Sequence, residues 1–470
     1  MQFGTHFALF LHQLFTMKKI LLSVTLILAL LSGKGQTLAD AISKTENERF
    51  EEASAAFKAL TEKDPKNGNL WFYFGENYLK RASLDDFKTS DVDSAMAMYQ
   101  KGYDLNSTNP LPYIGMAKVY QVKDSEKDAN SNFYKAIQLA DPKKPNPEHQ
   151  LQLAEAYLSV PKYRNPDEAL KILDGLMKSE GKNPELHILR GDALFYKNSG
   201  NAGESVKSYE KAYELDKKSS RAILKQGKIY KMARNEKLGL EYYQKAIKVD
   251  SLFAPAYREI AELYHQFGYD AKALENYKKY VQFNNSDGAQ KRLVEFMYLM
   301  KMYKDVIPMI LELQSKGMKS CYLWRYLGPA YYESGDKTDK EAYKKSYDAM
   351  DKFFSCAGPD FKYFPQDYKY KGLALAKAYK DSVPLLMKAV EELKKAIEID
   401  KDANCDLWGD IGTIYMRMNK YAETIDAYKN KSACSGGLKG QDYYFLGRAY
   451  YFSGDYKMSD TTFEIGRAHV

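Results

Sequence analysis

The stretch that decides the fold runs from Trp324 to Tyr331 and reads Trp-Arg-Tyr-Leu-Gly-Pro-Ala-Tyr. Its aromatic, aliphatic, small and aromatic residues stand at the first, fourth, fifth and eighth positions. In an α-helix this spacing places all four residues on one face. The glycine lets a second helix approach closely, because it carries no side chain. The stretch therefore predicts the first helix of a tightly packed helix pair.

The same phrase recurs along the chain, which indicates a repeated structural unit. All three tryptophans of the sequence stand at its first position, at Trp71, Trp324 and Trp408. Other residues take that position elsewhere, and the first positions fall at 71, 113, 150, 187, 223, 257, 324, 368, 408 and 443. With one degenerate unit near residue 290, the steps between them run from about 33 to 44 residues.

With the phrase W-x2-L-G-x2-Y at this period, the chain resembles the tetratricopeptide-repeat family over about nine-tenths of its length. The resemblance implies an all-α fold, an α-α superhelix (solenoid) of about 11–12 helix pairs over residues 36–463. One pair cannot bury its apolar face alone, so stability should come from stacking on adjacent pairs. We therefore expect each pair to contact its immediate neighbours and no distant pair.

The amino terminus has the pattern of a targeting segment. Two lysines follow Met17, an apolar run covers residues 20–31, and Gly33 and Gly35 supply the small residues of a cleavage site. We predict that residues 1–35 are an upstream extension plus a signal peptide that starts at Met17. The apolar run is short for a spanning helix, although a membrane anchor is the alternative. We expect export to the periplasm or cell envelope of a Gram-negative bacterium, with no spanning segment in the mature chain.

The carboxyl terminus breaks the repeat pattern. Residues 464–470 follow the beginning of a twelfth second helix without continuing its apolar spacing. We predict that this segment is a non-native tail at a truncated end. A capping helix or a further domain is then expected beyond it.

The four cysteines occupy related positions in two repeats. Cys321 and Cys405 each stand three residues before a tryptophan, and Cys356 and Cys434 each follow the second helix of the same repeats. In an antiparallel pair, the start of the first helix and the end of the second lie at one end. This predicts the disulfides Cys321–Cys356 and Cys405–Cys434, which an exported protein can form. Four unpaired thiols are the alternative.

The sequence contains no signature of catalysis or of cofactor binding. It lacks the G-x-S-x-G, H-E-x-x-H and P-loop motifs and any pair of C-x2-C motifs. The formal net charge is +8, from 70 basic and 62 acidic residues that are interspersed. Such mixing indicates a solvated surface rather than a nucleic-acid interface. We predict a protein that is not an enzyme, with no cofactor, metal or nucleic-acid partner; its oligomeric state is not predicted.

The concave surface is the remaining candidate for a binding site. In the family that the chain resembles, the first helix of each repeat lines an inner groove. The resemblance places basic and aromatic side chains there, namely Lys228, Lys231, Arg258, His265, Arg325, Tyr332, Lys369, Tyr444, Arg448 and Tyr451. Tyr and Arg carry much of the binding energy of protein interfaces. We expect a protein or peptide partner of acidic character, and ordinary solvated groove residues are the alternative.

The preferred function is therefore a protein-interaction scaffold of the bacterial envelope. Two other functions stay open at this point. Grooves lined with tyrosine can stack on sugar rings, which would suit a module that binds carbohydrate or peptidoglycan. The repeats could also be one portion of a longer enzyme or sensor.

Overall fold

The computed structural model describes residues 36–85, 89–140, 145–336, 338–358 and 361–468. The predicted targeting segment, residues 1–35, lies outside this part of the chain. The described residues form α-helices joined by short connections, without a β-strand among them. Within the same residues, no helix combines the length and the apolarity needed to cross a membrane. The predicted all-α fold is confirmed.

The chain divides into two compact units, residues 1–289 and 290–470. In the first unit the helices are α1 Leu38–Glu46, α2 Phe50–Lys63, α3 Gly68–Ala82, α4 Thr89–Leu105, α5 Pro110–Val122, α6 Glu126–Leu139, α7 Pro147–Ser159, α8 Pro166–Glu180, α9 Pro184–Lys197, α10 Ala202–Leu215, α11 Ser220–Met232, α12 Glu236–Val249, α13 Ala254–Gln266 and α14 Asp270–Phe283. Two short 3₁₀ helices, Pro161–Tyr163 and Ser199–Asn201, lie in the connections.

The helix α15, Asp287–Leu299, begins at the boundary and belongs mostly to the second unit. The others in that unit are α16 Tyr303–Ser315, α17 Cys321–Ser334, α18 Lys340–Ala357, α19 Pro365–Ala378, α20 Val383–Ile399, α21 Lys401–Asn404, α22 Leu407–Arg417, α23 Tyr421–Ser432, α24 Gly440–Ser453 and α25 Tyr456–Ala468. The last helix includes residues 464–468 of the predicted tail, whose non-native origin stays a prediction.

Consecutive helices pack as pairs in the order that the sequence phrases predict. The packed pairs run from α1 with α2 to α13 with α14, from α17 with α18 to α19 with α20, and from α22 with α23 to α24 with α25, which gives eleven in the described residues. Helices α15 and α16 follow each other across the short connection 300–302, and the four-residue helix α21 stands outside the pairing. The predicted number of about 11–12 helix pairs is confirmed.

Close approach within and between pairs depends on glycines that face a large side chain, most often an aromatic ring, although Gly328 faces Met350. Tyr99 of α4 is fully buried, and its ring lies between Gly75 of α3 and Gly115 of α5. A Cβ atom added at either glycine would lie 2.4 Å from the nearest atom of the Tyr99 ring. Gly191 and the Tyr209 ring meet in the same way. This contact is the physical reason for the small residue at the fifth position of the phrase.

The first unit also contains contacts between pairs that are distant in sequence. The connection between α1 and α2, residues 47–49, reaches the sixth and seventh helix pairs, and we call it the Glu48 turn. Asn47 donates a hydrogen bond to Asp250 at 2.7 Å, and the Glu48 carboxylate pairs with Arg258 at 2.7 Å. The expectation that each pair contacts only its immediate neighbours is therefore wrong for this unit. Successive pairs curve until the first lies beside the sixth and seventh.

In the second unit, the cysteines form the two predicted pairs. Cys321 begins α17, Cys356 lies in the last turn of α18, and their Cα atoms are 5.6 Å apart. Cys405 and Cys434 are joined in the same manner, with their Cα atoms 5.8 Å apart. Each disulfide ties the start of a first helix to the end of the second helix of its own pair.

We predict that Gly115→Ala destabilises the first unit by about 1–3 kcal/mol, because the new methyl group must displace the buried Tyr99 ring. Gly175 on α8 provides the matched control, since an added Cβ there meets no atom within 4 Å. Gly175→Ala should raise stability by up to about 1 kcal/mol through helix propensity. Chemical denaturation of both variants tests this, and equal effects would contradict the proposed packing.

We predict that the Cys405→Ala/Cys434→Ala double variant loses about 2–4 kcal/mol of unfolding free energy, because the unfolded chain loses a covalent loop closure. The loss should appear in the second unit, as faster hydrogen exchange of α22 and α23. Non-reducing peptide mapping of the wild-type protein is the control. Free thiols at both positions in protein purified without reductant would contradict the pairing.

Candidate functional site

A cavity of about 430 Å³ lies within the first unit. Its walls come mainly from the first helices of five pairs, α1, α3, α7, α9 and α11, which face one another across it. This arrangement places it on the concave side of the array. Its apolar wall consists of Ile42, Phe57 and Leu151, and its polar wall of Thr45, Glu46, Tyr73, Glu76, Lys80, Glu148, Gln152, Glu155, Asn183, Glu185 and Arg221.

Two cations cross-link the acidic residues of the cavity wall. Lys80 bonds to Glu46 at the end of α1, and its Nζ lies 3.0 Å from Glu155 Oε1. Arg221 lies 3.2 Å from Glu46 and 2.9 Å from Glu185. Burial raises the pKa of Glu46, but Arg221 and Lys80 lower it by more, so the pKa lies below its usual value. These ion pairs fasten α1 to the helices of the second, fourth, fifth and sixth pairs.

The cavity wall carries more negative than positive charge. Five glutamates and only two cations line it. Burial raises the pKa of Glu185, and the neighbouring carboxylates Glu46 and Glu155 raise it further, which Arg221 does not offset. A carboxylate with a raised pKa lacks sufficient compensating charge around it. A cationic group that entered the cavity would supply this charge.

Two other glutamates of the wall differ in their partners: Glu76 forms an ion pair, whereas Glu148 accepts a hydrogen bond from a tyrosine side chain. Glu76 pairs with Lys118 at 2.5 Å, and both side chains are buried. Glu148 accepts a hydrogen bond from the Tyr73 hydroxyl at 2.7 Å, and no ion pair of its carboxylate is found in the described part of the chain. Glu148 is half-buried at the start of α7. It is therefore the carboxylate best placed to meet a cation from outside.

The Glu48 turn occupies the groove beside this cavity. The Glu48 carboxylate accepts hydrogen bonds from Arg258 at 2.7 Å, from the Tyr280 hydroxyl at 2.9 Å and from Asn284 at 3.2 Å. The side chains of Glu48 and Arg258 are only 12% and 11% exposed. Glu48 also has a φ of 57°, which is strained for a residue with a side chain. Four other turns between helices contain a non-glycine residue with a φ of 55–59°, so this conformation belongs to the turn of the repeat. The hydrogen bonds to Glu48 mean that the predicted groove residue Arg258 is already bound within the chain.

The other predicted groove residues of the first unit also have internal partners. Lys228 lies 2.9 Å and Lys231 lies 3.3 Å from the Glu259 carboxylate. Burial raises the pKa of Glu259, but the cations around it, led by Lys228, outweigh this and lower the pKa to about 2. His265 Nδ1 lies 2.9 Å from Asp270. Lys228 and Lys231 are thus paired with a carboxylate of the same chain, which argues against an acidic partner at these two positions.

In the second unit, three predicted groove residues are engaged with their neighbours. Arg325 makes two hydrogen bonds to Asp367, at 2.8 and 2.5 Å, and both side chains are nearly buried. Tyr332 packs its ring edge-on against Tyr370, with the ring centroids 5.5 Å apart. The Lys369 ammonium lies 5.9 Å from the centre of the same Tyr370 ring.

The predicted groove residues of the last pair are the most open. Tyr444 and Tyr451 are 51% and 54% exposed. The Arg448 guanidinium lies 5.6 Å from the centre of the Tyr444 ring. The structure thus does not bring the ten predicted residues together into one site. Partner binding by any of them stays a prediction.

The sequence-based groove assignment included Glu76, Leu151 and Glu155 of the cavity wall but not Glu148, Glu185 and Arg221, although the repeat register contained a signal for these three. Glu148, Glu185 and Arg221 each stand two residues before the first position of three successive phrases, at 150, 187 and 223. The predicted groove residues stand after the first position of each phrase. The residue two positions before it faces the cavity, because that residue lies in the first turn of its helix.

Comparison with known proteins gives one family match. The profile of the tetratricopeptide repeat matches residues 193–219, which include α10. No curated protein sequence matches the chain. Among solved structures, YrrB, described as a TPR protein with an unusual peptide-binding site, is 23% identical over 42% of this chain and 94% of its own, with a TM-score of 0.24.

Two further solved structures are similar to the chain. A thermophilic TPR protein of Thermus thermophilus is 15% identical over 40% of this chain and 98% of its own, with a TM-score of 0.34. Yeast Tom70 is 12% identical over 87% of this chain and 93% of its own, with a TM-score of 0.35. At these identities and TM-scores the solved structures carry no argument about function.

We predict that Glu48→Ala destabilises the first unit by about 3–5 kcal/mol, because the buried Arg258 guanidinium loses its nearest counter-charge and keeps only the more distant Glu259 and Glu262, at 3.7 and 4.0 Å. Glu52→Ala is the matched control: Glu52 pairs with Arg49 at the surface, is 52% exposed, and should change stability by less than about 1 kcal/mol. Denaturation and hydrogen exchange of α1 report the two effects. Undiminished protection of α1 in Glu48→Ala would show that the turn does not fasten it.

Proposed function

Because the chain is a tetratricopeptide-repeat protein, we propose that it is a non-enzymatic scaffold of the bacterial envelope that binds a protein or peptide partner. The binding site of this proposal is the concave cavity of the first unit. The observation that carries it is a space of about 430 Å³ between first helices, lined by three apolar residues and by five glutamates, of which Glu185 has a raised pKa. Concave clefts with a few well-placed polar groups are where proteins commonly hold ligands.

The charge of the cavity wall indicates the chemistry of the partner. Five glutamates against two cations favour a basic group, and the apolar wall favours an apolar side chain next to it. We therefore propose a partner segment that carries a lysine or arginine beside an apolar residue. This replaces the expected acidic partner, because the cations of this unit that would have attracted one already bind carboxylates of the same chain.

Two observations support an envelope location. The sequence begins with the pattern of a signal peptide, and the second unit contains two disulfides. Disulfides persist in oxidising compartments outside the cytosol. Export is thus part of the proposal, and the periplasm is the compartment that fits a Gram-negative source.

The test is a selection of peptides from a random library on the purified, oxidised protein. We predict enrichment of peptides with a basic residue next to an apolar one. For the strongest peptide, Glu148→Gln should weaken binding about tenfold, since it removes one charged hydrogen bond. Glu241→Gln is the matched control, because Glu241 is exposed on α12 and does not line the cavity.

Three outcomes would contradict the proposal. The first is selection of acidic peptides, and the second is equal binding by the wild-type protein and Glu148→Gln. The third is retention of the protein by peptidoglycan fragments without any peptide binding, which would favour the carbohydrate-binding function instead. Circular dichroism of both variants verifies that a loss of binding does not reflect a loss of fold.

A further inference from the structure

A cavity of about 300 Å³ in the second unit is lined by cations alone among its charged groups. We call it the Lys377 cavity. Four basic residues and two hydroxyl-bearing residues form its wall, namely Lys340, Lys377, Lys380, Arg417, Thr338 and Tyr343. The formal charge of this wall is +4, from three lysines and one arginine. The wall of the first unit's cavity, in contrast, contains more acidic than basic residues.

The repeat geometry brings these residues together from three successive helix pairs. Lys377 and Arg417 stand nine residues after the first positions 368 and 408, so they occupy the same place in two consecutive repeats. Each lies in the last turn of its helix, α19 and α22. Lys380 follows α19, and Lys340 is the first residue of α18. The cavity is thus formed by the stacking of consecutive helix pairs and not by a single loop.

No carboxylate of the described part of the chain lines the Lys377 cavity, although Lys377 attracts the carboxylate of Asp410, which lies outside the wall. Within the described residues, none of the four forms an ion pair with a carboxylate. Asp339 and Glu341 flank Lys340 in the sequence and Asp381 follows Lys380, but none of the three lines the cavity. Asp339 caps α18 by accepting hydrogen bonds from the backbone N–H groups of Glu341 and Ala342 at 3.1 and 3.0 Å. The Asp339 carboxylate is therefore bound to the start of α18 and does not enter the cavity.

Lys377 is held in position by aromatic side chains. Its Nζ lies 3.4 Å from the Tyr343 hydroxyl and 4.6 Å from the centre of the Tyr332 ring. Burial lowers the pKa of Lys377, but contacts with these two tyrosines raise it by more, so the pKa lies above its usual value. The ammonium group is charged at neutral pH and is oriented before any ligand arrives.

We propose that the Lys377 cavity binds a phosphate-bearing ligand. A phosphate monoester carries about −1.5 to −2 charges at neutral pH, and each of its oxygens accepts hydrogen bonds. Two adjacent phosphate groups would compensate most of the four positive charges, and Thr338 and Tyr343 supply hydroxyl donors for the remaining oxygens. A single carboxylate would compensate only one of these charges. This inference is independent of the proposed peptide site in the first unit.

The phosphate group could belong to a soluble molecule or to a lipid headgroup, and two measurements distinguish these sources. Inorganic pyrophosphate is titrated into the full chain by calorimetry. In parallel, the protein is sedimented with vesicles of phosphatidylglycerol and phosphatidylcholine, and with vesicles of phosphatidylcholine alone. Binding of pyrophosphate indicates a soluble ligand. Binding to the phosphatidylglycerol vesicles alone indicates a lipid headgroup, provided that it depends on Arg417.

Arg417→Gln should weaken binding of whichever probe binds by about tenfold, through the loss of one charged hydrogen bond. Arg417 is exposed, so the variant should keep the wild-type melting temperature. Arg417→Lys keeps the charge and should retain affinity to within about threefold, because lysine also binds phosphate. Lys457→Gln removes an exposed cation outside the cavity and should leave binding unchanged.

Three results would overturn the proposal. One is the absence of binding to both pyrophosphate and the phosphatidylglycerol vesicles. Another is equal binding by the wild-type protein and Arg417→Gln. The third is competition by a tetraglutamate peptide as strong as that by pyrophosphate, which would identify the cavity as a site for acidic peptides.

Discussion

The fold depends on one steric constraint: a large side chain of a second helix, most often an aromatic ring, needs a neighbouring helix position that carries no side chain. Tyr99 between Gly75 and Gly115 shows it most fully, because one ring fills the space over two glycines from different pairs. The same contact sets the distance within a pair and the distance to the next pair. Since interiors pack at near-crystalline density, the glycine cannot gain a methyl group without movement of the ring. Repetition of this contact generates the array.

This local character explains how much of the structure could be predicted from the sequence. The helix pairs and both cysteine pairings depend on residues within one repeat or its neighbours, and the phrase headed by Trp324 and Trp408 reveals them. The contact of Glu48 with Arg258 joins residues 210 positions apart, and it depends on the accumulated curvature of seven pairs. Small rotations between successive helix pairs determine whether this contact forms, and no pattern of residues in the sequence predicts those rotations. The sequence therefore did not indicate that Arg258, one of the predicted groove residues, pairs with Glu48. Partner binding by the predicted groove residues stays a prediction.

The basic side chains of the first unit's groove and those of the Lys377 cavity differ in whether carboxylates of the same chain lie beside them. In the first unit, Lys228, Lys231 and Arg258 lie close to carboxylates of the same chain, so their fields cancel locally. In the second unit, Lys377 and Arg417 face a cavity without any carboxylate in its wall. A count of charged residues in the sequence cannot distinguish a basic side chain that is paired with a carboxylate from one that faces an open cavity. The distinction requires the position of each residue in its repeat and the residues that contact it from neighbouring repeats.

The buried ion pairs of α1 are better understood as specifying an arrangement than as a large source of stability. Desolvation of Glu46 and Glu48 offsets much of their attraction to Arg221 and Arg258, as it does for buried pairs in general. An apolar contact at the same place would tolerate sliding of α1 along the groove. Charged partners at fixed distances do not, because a displaced carboxylate would leave a guanidinium buried without compensation. The shape of the 430 Å³ cavity follows from that fixed position of α1, so any selectivity of the cavity depends on the same ion pairs.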